Sequence, residues 1–240
     1  MRRFDRVSTI SERMLARLHQ KGVNQERAVL FPNWVNTNEI YPLPPSPNIL
    51  REALGIPESN TILLYSGNMG KKQGLESLIL AARQLQTHHD LHFILCGDGV
   101  ARAESEKAAV DLSNVKFLSL QPSEKLNQLL NSADVHILPQ RADAADLVMP
   151  SKLLGMLASG KAVIATANPG TGLENVVSQV GVVVSPGDQS ALCQAILDLA
   201  SSPQLRLDLG EKGRDYVCKY WSEQIVLSRF ESQIQEVIQS

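Results

Sequence analysis

From Thr61 onward the chain alternates short apolar runs with helical stripes, and this alternation constrains the fold more than any other feature. Near-continuous apolar strands separated by amphipathic helices are what a parallel sheet requires when helices cover both of its faces. Strand-type runs occur at 62–65, 91–96, 115–118 and 134–138, then within KAVIAT, and last at 181–184. Between the first two, Leu75, Leu78, Ile79, Ala82 and Leu85 recur at helical spacing and form one apolar face. The pattern predicts an α/β fold, a doubly wound parallel sheet of about six strands. Residues 188–240 read as helix alone, with Asp188, Ser202 and Ser222 as N-caps and Gly210 and Gly213 as weak points.

Ahead of the sheet, residues 7–21 carry a helix signal in which Ser11 is the N-cap, Met14, Leu15 and Leu18 share a face, and Gly22 ends the pattern. A short apolar run at 28–31 meets Pro32-Asn33, and residues 41–47 hold four of the twelve prolines, reading as an extended linker. A domain edge is expected there. With 43% of 240 residues hydrophobic the chain can bury a substantial core, while a net charge of −2 supplies no basic excess for general nucleic-acid binding. Cys96, Cys193 and Cys218 are odd in number and widely spaced, which fits a reducing cytoplasm better than a disulfide framework. The N-terminus lacks the apolar core of a signal peptide, and no run reaches the roughly eighteen apolar residues that span a bilayer. Peripheral contact at the inner face of a cell membrane stays open.

Residues 134–174 concentrate the chemistry: a strand, a polar loop, the start Met149-Pro150-Ser151-Lys152, another strand and a Gly-rich turn. Pro at a first helical position gives up an N–H that has no partner anyway, and the amides that follow favour an anion. Ser151 adds a hydroxyl and Lys152 a full charge, which points to a phosphate-bearing ligand; the competing reading is a plain helix start. In an open parallel sheet, ligands sit at the carboxyl ends of the strands. Three glycine loops are expected there: residues 67–74 (GNMGKKQG), Gly97-Asp98-Gly99 and Gly170-Thr171-Gly172. The first is neither a Walker A loop nor GxGxxG. Of its two lysines one reads as solvated charge, and Lys72, nearer the Gly74 turn, is the choice for function. Asp98, Asp143 and Asp146 are loop carboxylates without the look of an acid/base pair. The run HHDLH at 88–92 more simply ends a helix than binds a metal, and His136 reads as a core residue. No metal site is expected, and no GxSxG elbow occurs.

In YSGNMGKKQGLESLILAARQL, ILCGDG, PSKLLGMLASGKAVIAT and VVVSPGD, taken in order, the chain resembles the carboxyl-terminal, donor-binding half of a family-four retaining glycosyltransferase of the two-domain GT-B fold. GNMGKKQGLE and ADLVMPSKLLGMLASG are most similar to exopolysaccharide or colanic-acid fucosyltransferase-like members. The resemblance implies a Rossmann-like half of a GT-B fold. Its donor would be a nucleotide-diphosphate sugar, GDP- or UDP-linked, used as substrate with no cofactor. A saccharide or lipid-linked saccharide would be the acceptor. By the same resemblance residues 1–45 are an interdomain linker helix and crossing segment, 46–220 the nucleotide-sugar-binding domain, and 221–240 a helix that crosses back from Trp221 to an N-terminal domain. That domain would be supplied on another chain, and the chain alone is expected to be inactive.

Residue by residue, the resemblance gives Lys72 the phosphate contact and the catalytic role, although one residue separates it from Gly74 where many members have Lys-Gly directly. Gly67 and Asn68 fall in the phosphate loop, with Asn68 where an arginine is common. Gly97, Asp98 and Gly99 match the loop beside the donor, Leu120 and Gln121 meet the nucleobase, and Met149, Pro150, Ser151 and Lys152 form the helix start. Glu174 matches a later family glutamate, a structural role being as open as a donor contact. Leu147 and Gly155 replace the paired glutamates that hold sugar and ribose in many members, leaving Asp146 as the nearby substitute. Two alternatives stand beside transfer: a non-catalytic nucleotide-sugar-binding subunit or remnant, and a dinucleotide oxidoreductase, the latter disfavoured by the missing GxGxxG and ribose-binding acid.

Overall fold

The computed structural model describes residues 4–44, 48–143 and 149–239. Its main body is a six-stranded, all-parallel sheet of β3 (Thr61–Ser66), β4 (Leu91–Cys96), β5 (Val115–Leu118), β6 (Val135–Leu138), β7 (Ala162–Thr166) and β8 (Val182–Val184). The spatial order is β5-β4-β3-β6-β7-β8. Chain order therefore reverses between β3 and β6, which pair through Leu63 with Val135 and Leu64 with His136. A crevice opens beyond the carboxyl ends of strands at such a reversal. The expected doubly wound sheet is observed.

Alternation along each strand divides the core. Leu63, Tyr65, Phe93, Leu95, Val135, Ile137 and Ile164 pack with α3 (Leu75–Gln84) and α8 (Gln189–Ser201). On the opposite face Leu138, Val163 and Ala165 meet α6 (Ser151–Ala158), α7 (Gly172–Val180) and α9 (Pro203–Tyr220). Ile62, Leu64 and Ile94 pack with Leu129 of α5 (Leu126–Asn131). Helix α4 (Arg102–Ala108) connects β4 to β5, and α2 (Ile49–Ala53) precedes β3.

Several local expectations change. Residues 7–21 are not all helix: Val7–Thr9 form β1, paired in parallel with β2 (Ala28–Leu30), and α1 (Glu12–Gln20) lies between them. Ser11 is its cap, accepting from the Met14 amide at 3.2 Å. The segment read as a linker helix is thus a small β-α-β unit. Gly210 and Gly213 do not weaken α9; a Cβ at Gly210 would lie 2.1 Å from the Gly160 carbonyl oxygen, so the glycine permits close packing of the helix. Asp188 and Ser202 cap their helices, but the Ser222 hydroxyl donates back to the Cys218 carbonyl at 3.0 Å. Helix α10 (Glu223–Ile238) returns to the N-terminal unit, where Phe230 stacks on Phe31 at 3.9 Å and the Val35 amide donates to the Trp221 carbonyl at 3.0 Å. Among the described residues, no helix is long and apolar enough to cross a membrane.

Candidate functional site

The crevice between β3 and β6 is bordered by two glycine loops fastened to each other. The Gly67 amide donates to the Cys96 carbonyl at 2.9 Å, the Met69 amide to the Asp98 carbonyl at 2.7 Å, and the Ala101 amide to the Met69 carbonyl at 2.9 Å. The approach is close: a Cβ on Gly97 would lie 1.9 Å from the Gly67 carbonyl oxygen, and one on Gly99 would lie 2.6 Å from that of Met69. Both glycines also have strongly positive φ, so other residues would be strained there. Arg102 binds the loop from below, its Nη1 donating to the carbonyls of Gly97 and Leu118 at 2.5 and 3.1 Å. Asp98 is occupied locally, accepting from the Gly99 amide at 2.7 Å. Asn68 is exposed, with its side chain between Gly70 and Gly99.

Helix α6 begins at the opposite wall. Pro150 is its N-cap rather than its first helical residue, Ser151 opens the helix exposed, and no side chain caps it. The Leu153 amide in its first turn donates to the Pro150 carbonyl at 3.0 Å, and the turn as a whole carries the positive end of the helix dipole. Lys152, one residue in, turns its ammonium beneath the first loop and donates to the Tyr65 hydroxyl at 2.9 Å and to Gln73 Oε1 at 3.1 Å. The ammonium also lies 4.4 Å from the Tyr65 ring centroid. The Tyr65 hydroxyl in turn donates a hydrogen bond to the Asn68 carbonyl at 2.5 Å. Burial pushes the Lys152 ammonium down to about 8 and raises the Tyr65 phenol well above its ordinary value.

Lys72 occupies the single turn before α3, exposed like Lys71. Nearby, Arg141 pairs with Asp143 at 2.9 Å and Glu76 at 3.2 Å; that hydrogen-bonded guanidinium and, less strongly, the charge of Lys72 hold the Asp143 carboxyl below its usual range. Leu120 is exposed beyond β5, and Gln121 Nε2 donates to the Ser119 carbonyl at 2.9 Å. Met149 packs on the α6 core, 3.7 Å from where a Gly172 Cβ would sit. Glu174 lies in the first turn of α7, its amide bonded to the capping Thr171 hydroxyl at 3.2 Å. The carbonyl of Gly170, in the third glycine loop, accepts from Arg13 of α1 at 2.8 Å. Gly155 faces Leu130, 3.3 Å from where a Cβ would project, so no carboxylate stands there. Asp146 and Leu147 lie outside the described residues. His136 is buried in β6 with Nε2 3.2 Å from the Ser159 hydroxyl, but its Nδ1 has no partner, so the core histidine is only half satisfied.

Thus the loops holding Gly67, Asn68, Gly97, Asp98 and Gly99 and the α6 start at Pro150, Ser151 and Lys152 come together at the strand-order reversal, while Leu120 follows β5, Glu174 opens α7 after β7, and Gln121 lines a separate hollow with Arg51 and Asp134. Sequence reading missed Tyr65, Gln73 and Arg102. Tyr65 had a signal, being the one aromatic residue in TILLYS, as had Arg102, a cation in the first turn of a helix, where the dipole disfavours it.

The model of the group 1 glycosyl transferase family matches residues 47–216, and the chain belongs to that family. Over 198 residues it is 38% identical to the putative colanic acid biosynthesis glycosyl transferase WcaI of Escherichia coli K12, covering 80% of this chain and 48% of the relative. The chain spans about half the length of the curated relatives it matches. Anabaena Alr3699/HepE, solved with UDP and glucose, superposes with a TM-score of 0.80 at 18% identity, covering 97% of this chain and 63% of that one. The isolated C-terminal domain of LpcC from Francisella tularensis superposes with a TM-score of 0.64 at 22% identity, covering 79% and 99%. The fold is the Rossmann-like half of a GT-B architecture.

Proposed function

We propose that the chain is the donor-binding half of a retaining hexosyltransferase that moves a sugar from a GDP- or UDP-linked donor to a saccharide or lipid-linked saccharide in exopolysaccharide or cell-surface glycan synthesis. The observation that carries this is the crevice at the strand-order reversal, where two fastened glycine loops, the α6 start and the Lys152 ammonium face one space. The diphosphate lies across that crevice, and the base extends toward exposed Leu120 and Gln121. From β5 to β6 is three strand spacings, about 14 Å, which suits an extended nucleoside diphosphate. The sugar points toward Glu174 and the stretch containing Asp146.

In the transfer step the anomeric carbon–oxygen bond to the diphosphate breaks and its electron pair leaves with the diphosphate, while the acceptor oxygen bonds to the anomeric carbon on the same face and gives its proton to the leaving diphosphate oxygen. Positive groups fixed where negative charge grows lower that barrier without reorganisation. The acceptor is held by an N-terminal domain on another chain, and the work takes place in the cytoplasm, at most at the inner membrane face. The colanic acid role named for WcaI supports the saccharide product, and the UDP complex of HepE supports the donor class. A thermal-shift panel of GDP, UDP, ADP and dTDP tests the reading, since a ligand of the folded state raises its melting temperature. Stabilisation by one diphosphate is expected, and silence across the panel overturns it. Gly155, which offers no carboxylate, favours a second reading as a non-catalytic nucleotide-sugar-binding subunit. Sugar transfer by the chain together with its N-terminal half excludes that reading.

A further inference from the structure

We propose that Arg102 of α4 is a positioning residue for base preference: by joining the carbonyls of Gly97 and Leu118 it fixes the backbone that leaves β5, and with it the choice between nucleobases. The inference rests on the donor-site reading above, which leaves that choice open.

Topology creates the need for such a fastener. β5 is the edge of the sheet and pairs with β4 alone, the register ending at Cys96 with Leu118. Past that pair residues 119–121 leave the ladder, and side chains hold them. Arg102 Nη1 donates to the Gly97 carbonyl at 2.5 Å and to the Leu118 carbonyl at 3.1 Å, so one nitrogen links two adjacent strand ends. Glu106, one turn further along α4, aims the guanidinium by accepting from Nε at 2.8 Å. Behind the same segment the buried Cys96 thiol donates to the Ser119 carbonyl at 3.3 Å. Burial raises the pKa of that thiol, and the Gln121 amide and the charge of Arg102 oppose the shift, which places all three groups in one cluster.

A solvated surface arginine would not be built this way. Arg102 opens its helix, where the dipole disfavours a cation, yet its side chain is only 22% exposed and is turned inward onto the strand ends. The two sides of the bridge differ in what else secures them. The Gly97–Gly99 loop is bonded to the first glycine loop through the carbonyls of Cys96, Asp98 and Met69, so the phosphate side keeps its shape without the guanidinium. On the base side the Gly97 amide on the Leu118 carbonyl at 3.1 Å and the weak thiol contact are what remain. A segment ordered in advance spares a ligand the entropy of ordering it, and discriminates better between bases for the same reason.

Calorimetric titration of the 240-residue chain with GDP and UDP tests the assignment. The wild type is expected to favour one of them by about tenfold or more. Arg102→Met should remove about tenfold of that preference by weakening the favoured nucleotide, the loss expected when the segment must be ordered on binding. Amide exchange at 119–121 should rise in the same variant, while exchange at Met69 and Ala101, whose amides tie the two glycine loops, stays as it was. Glu106→Gln, which keeps an oxygen for Nε without the charge, should cost about threefold in preference, as for a partly exposed ion pair. A merely structural arginine would lower the melting temperature and leave the ratio of the two affinities alone. An intact preference, an equal loss for both nucleotides, or unchanged exchange at 119–121 in a folded Arg102→Met chain overturns the assignment and leaves the donor site standing, as does a wild type that binds both nucleotides equally. Should Arg102→Met fail to fold, Glu106→Gln decides, and an unaltered preference there overturns it. A wild-type chain that binds neither nucleotide overturns the donor-site reading, and this inference with it.

Discussion

Each end of the sheet holds a half-buried lysine, and the two have different surroundings. At the amino end burial lowers the pKa of Lys161, just before β7; Asp134 opposes that shift, while Arg51 and Arg206 add to it. Around it the charges are spoken for. Arg51 bonds Asp134 at 2.7 Å and the carbonyls of Pro57 and Asn60, while Arg214 donates to the carbonyls of Thr37, Ile40 and Ala158. The hollow of about 1280 Å³ that opens there is lined by these groups, so its size does not make it the anion site. At the carboxyl end the partners of Lys152 among the described residues are the neutral Tyr65 hydroxyl and Gln73 amide oxygen. Arg51 and Arg214 are bonded within the fold at one end, and at the other Lys152 meets uncharged groups among the described residues.

The comparison can be broken most severely at Arg51. Replacing it with Met leaves Asp134 half-buried without its guanidinium, and should lower unfolding free energy by about 3 kcal/mol in denaturant titration. Nucleotide affinity of the folded fraction should not change; if it falls as well, the two ends are coupled. Gly97→Ala attacks the other end. Its Cβ has no room against the Gly67 carbonyl, so a cost of about 2 kcal/mol is expected together with loss of nucleotide protection in the thermal-shift assay.

A pH series separates the lysines more finely. Lys152 has a folded value of about 8, below the ordinary lysine value, so above pH 8 the unfolded chain holds the extra proton. Its contribution to stability therefore rises with pH from about 8 toward the unfolded value, and Lys161, also displaced downward, acts in the same direction. Nucleotide affinity should move the opposite way, falling about tenfold between pH 7 and pH 9 as Lys152 loses its proton. Lys161→Met should leave that affinity profile in place, as binding curves at the two pH values would show. The smallest effect is expected at Lys71: Ala there should slow nucleotide association slightly at low salt in stopped-flow traces and change nothing at high salt.

Much of the fold was legible because each strand is a short apolar run and each covering helix has its own stripe. β1 was not, since three residues, Val7–Thr9, run directly into the cap at Ser11 and look like the approach to a helix. Gly210 and Gly213 misled for a related reason: low helix propensity is visible locally, whereas the backbone of Gly160 against which α9 packs is fifty residues away in sequence. The start of α6 at Ser151 and the positions of the first two glycine loops were readable from turn chemistry. The partners of Lys152 were not, because Tyr65 is separated from it by 87 residues and Gln73 by 79.

By itself, then, the sequence determined the parallel sheet, its strand number and the glycine-bearing ends, since apolar periodicity and turn residues act over a few residues at a time. Only the tertiary structure decided that β6 lies against β3. That neighbour relation, made by long-range packing of core residues such as Leu63 and Val135, carries α6 to the first loop and sets Lys152 under Tyr65. The same lysine on a solvated helix would be an ordinary surface charge; burial beside the Tyr65 hydroxyl and Gln73 lowers its pKa to about 8.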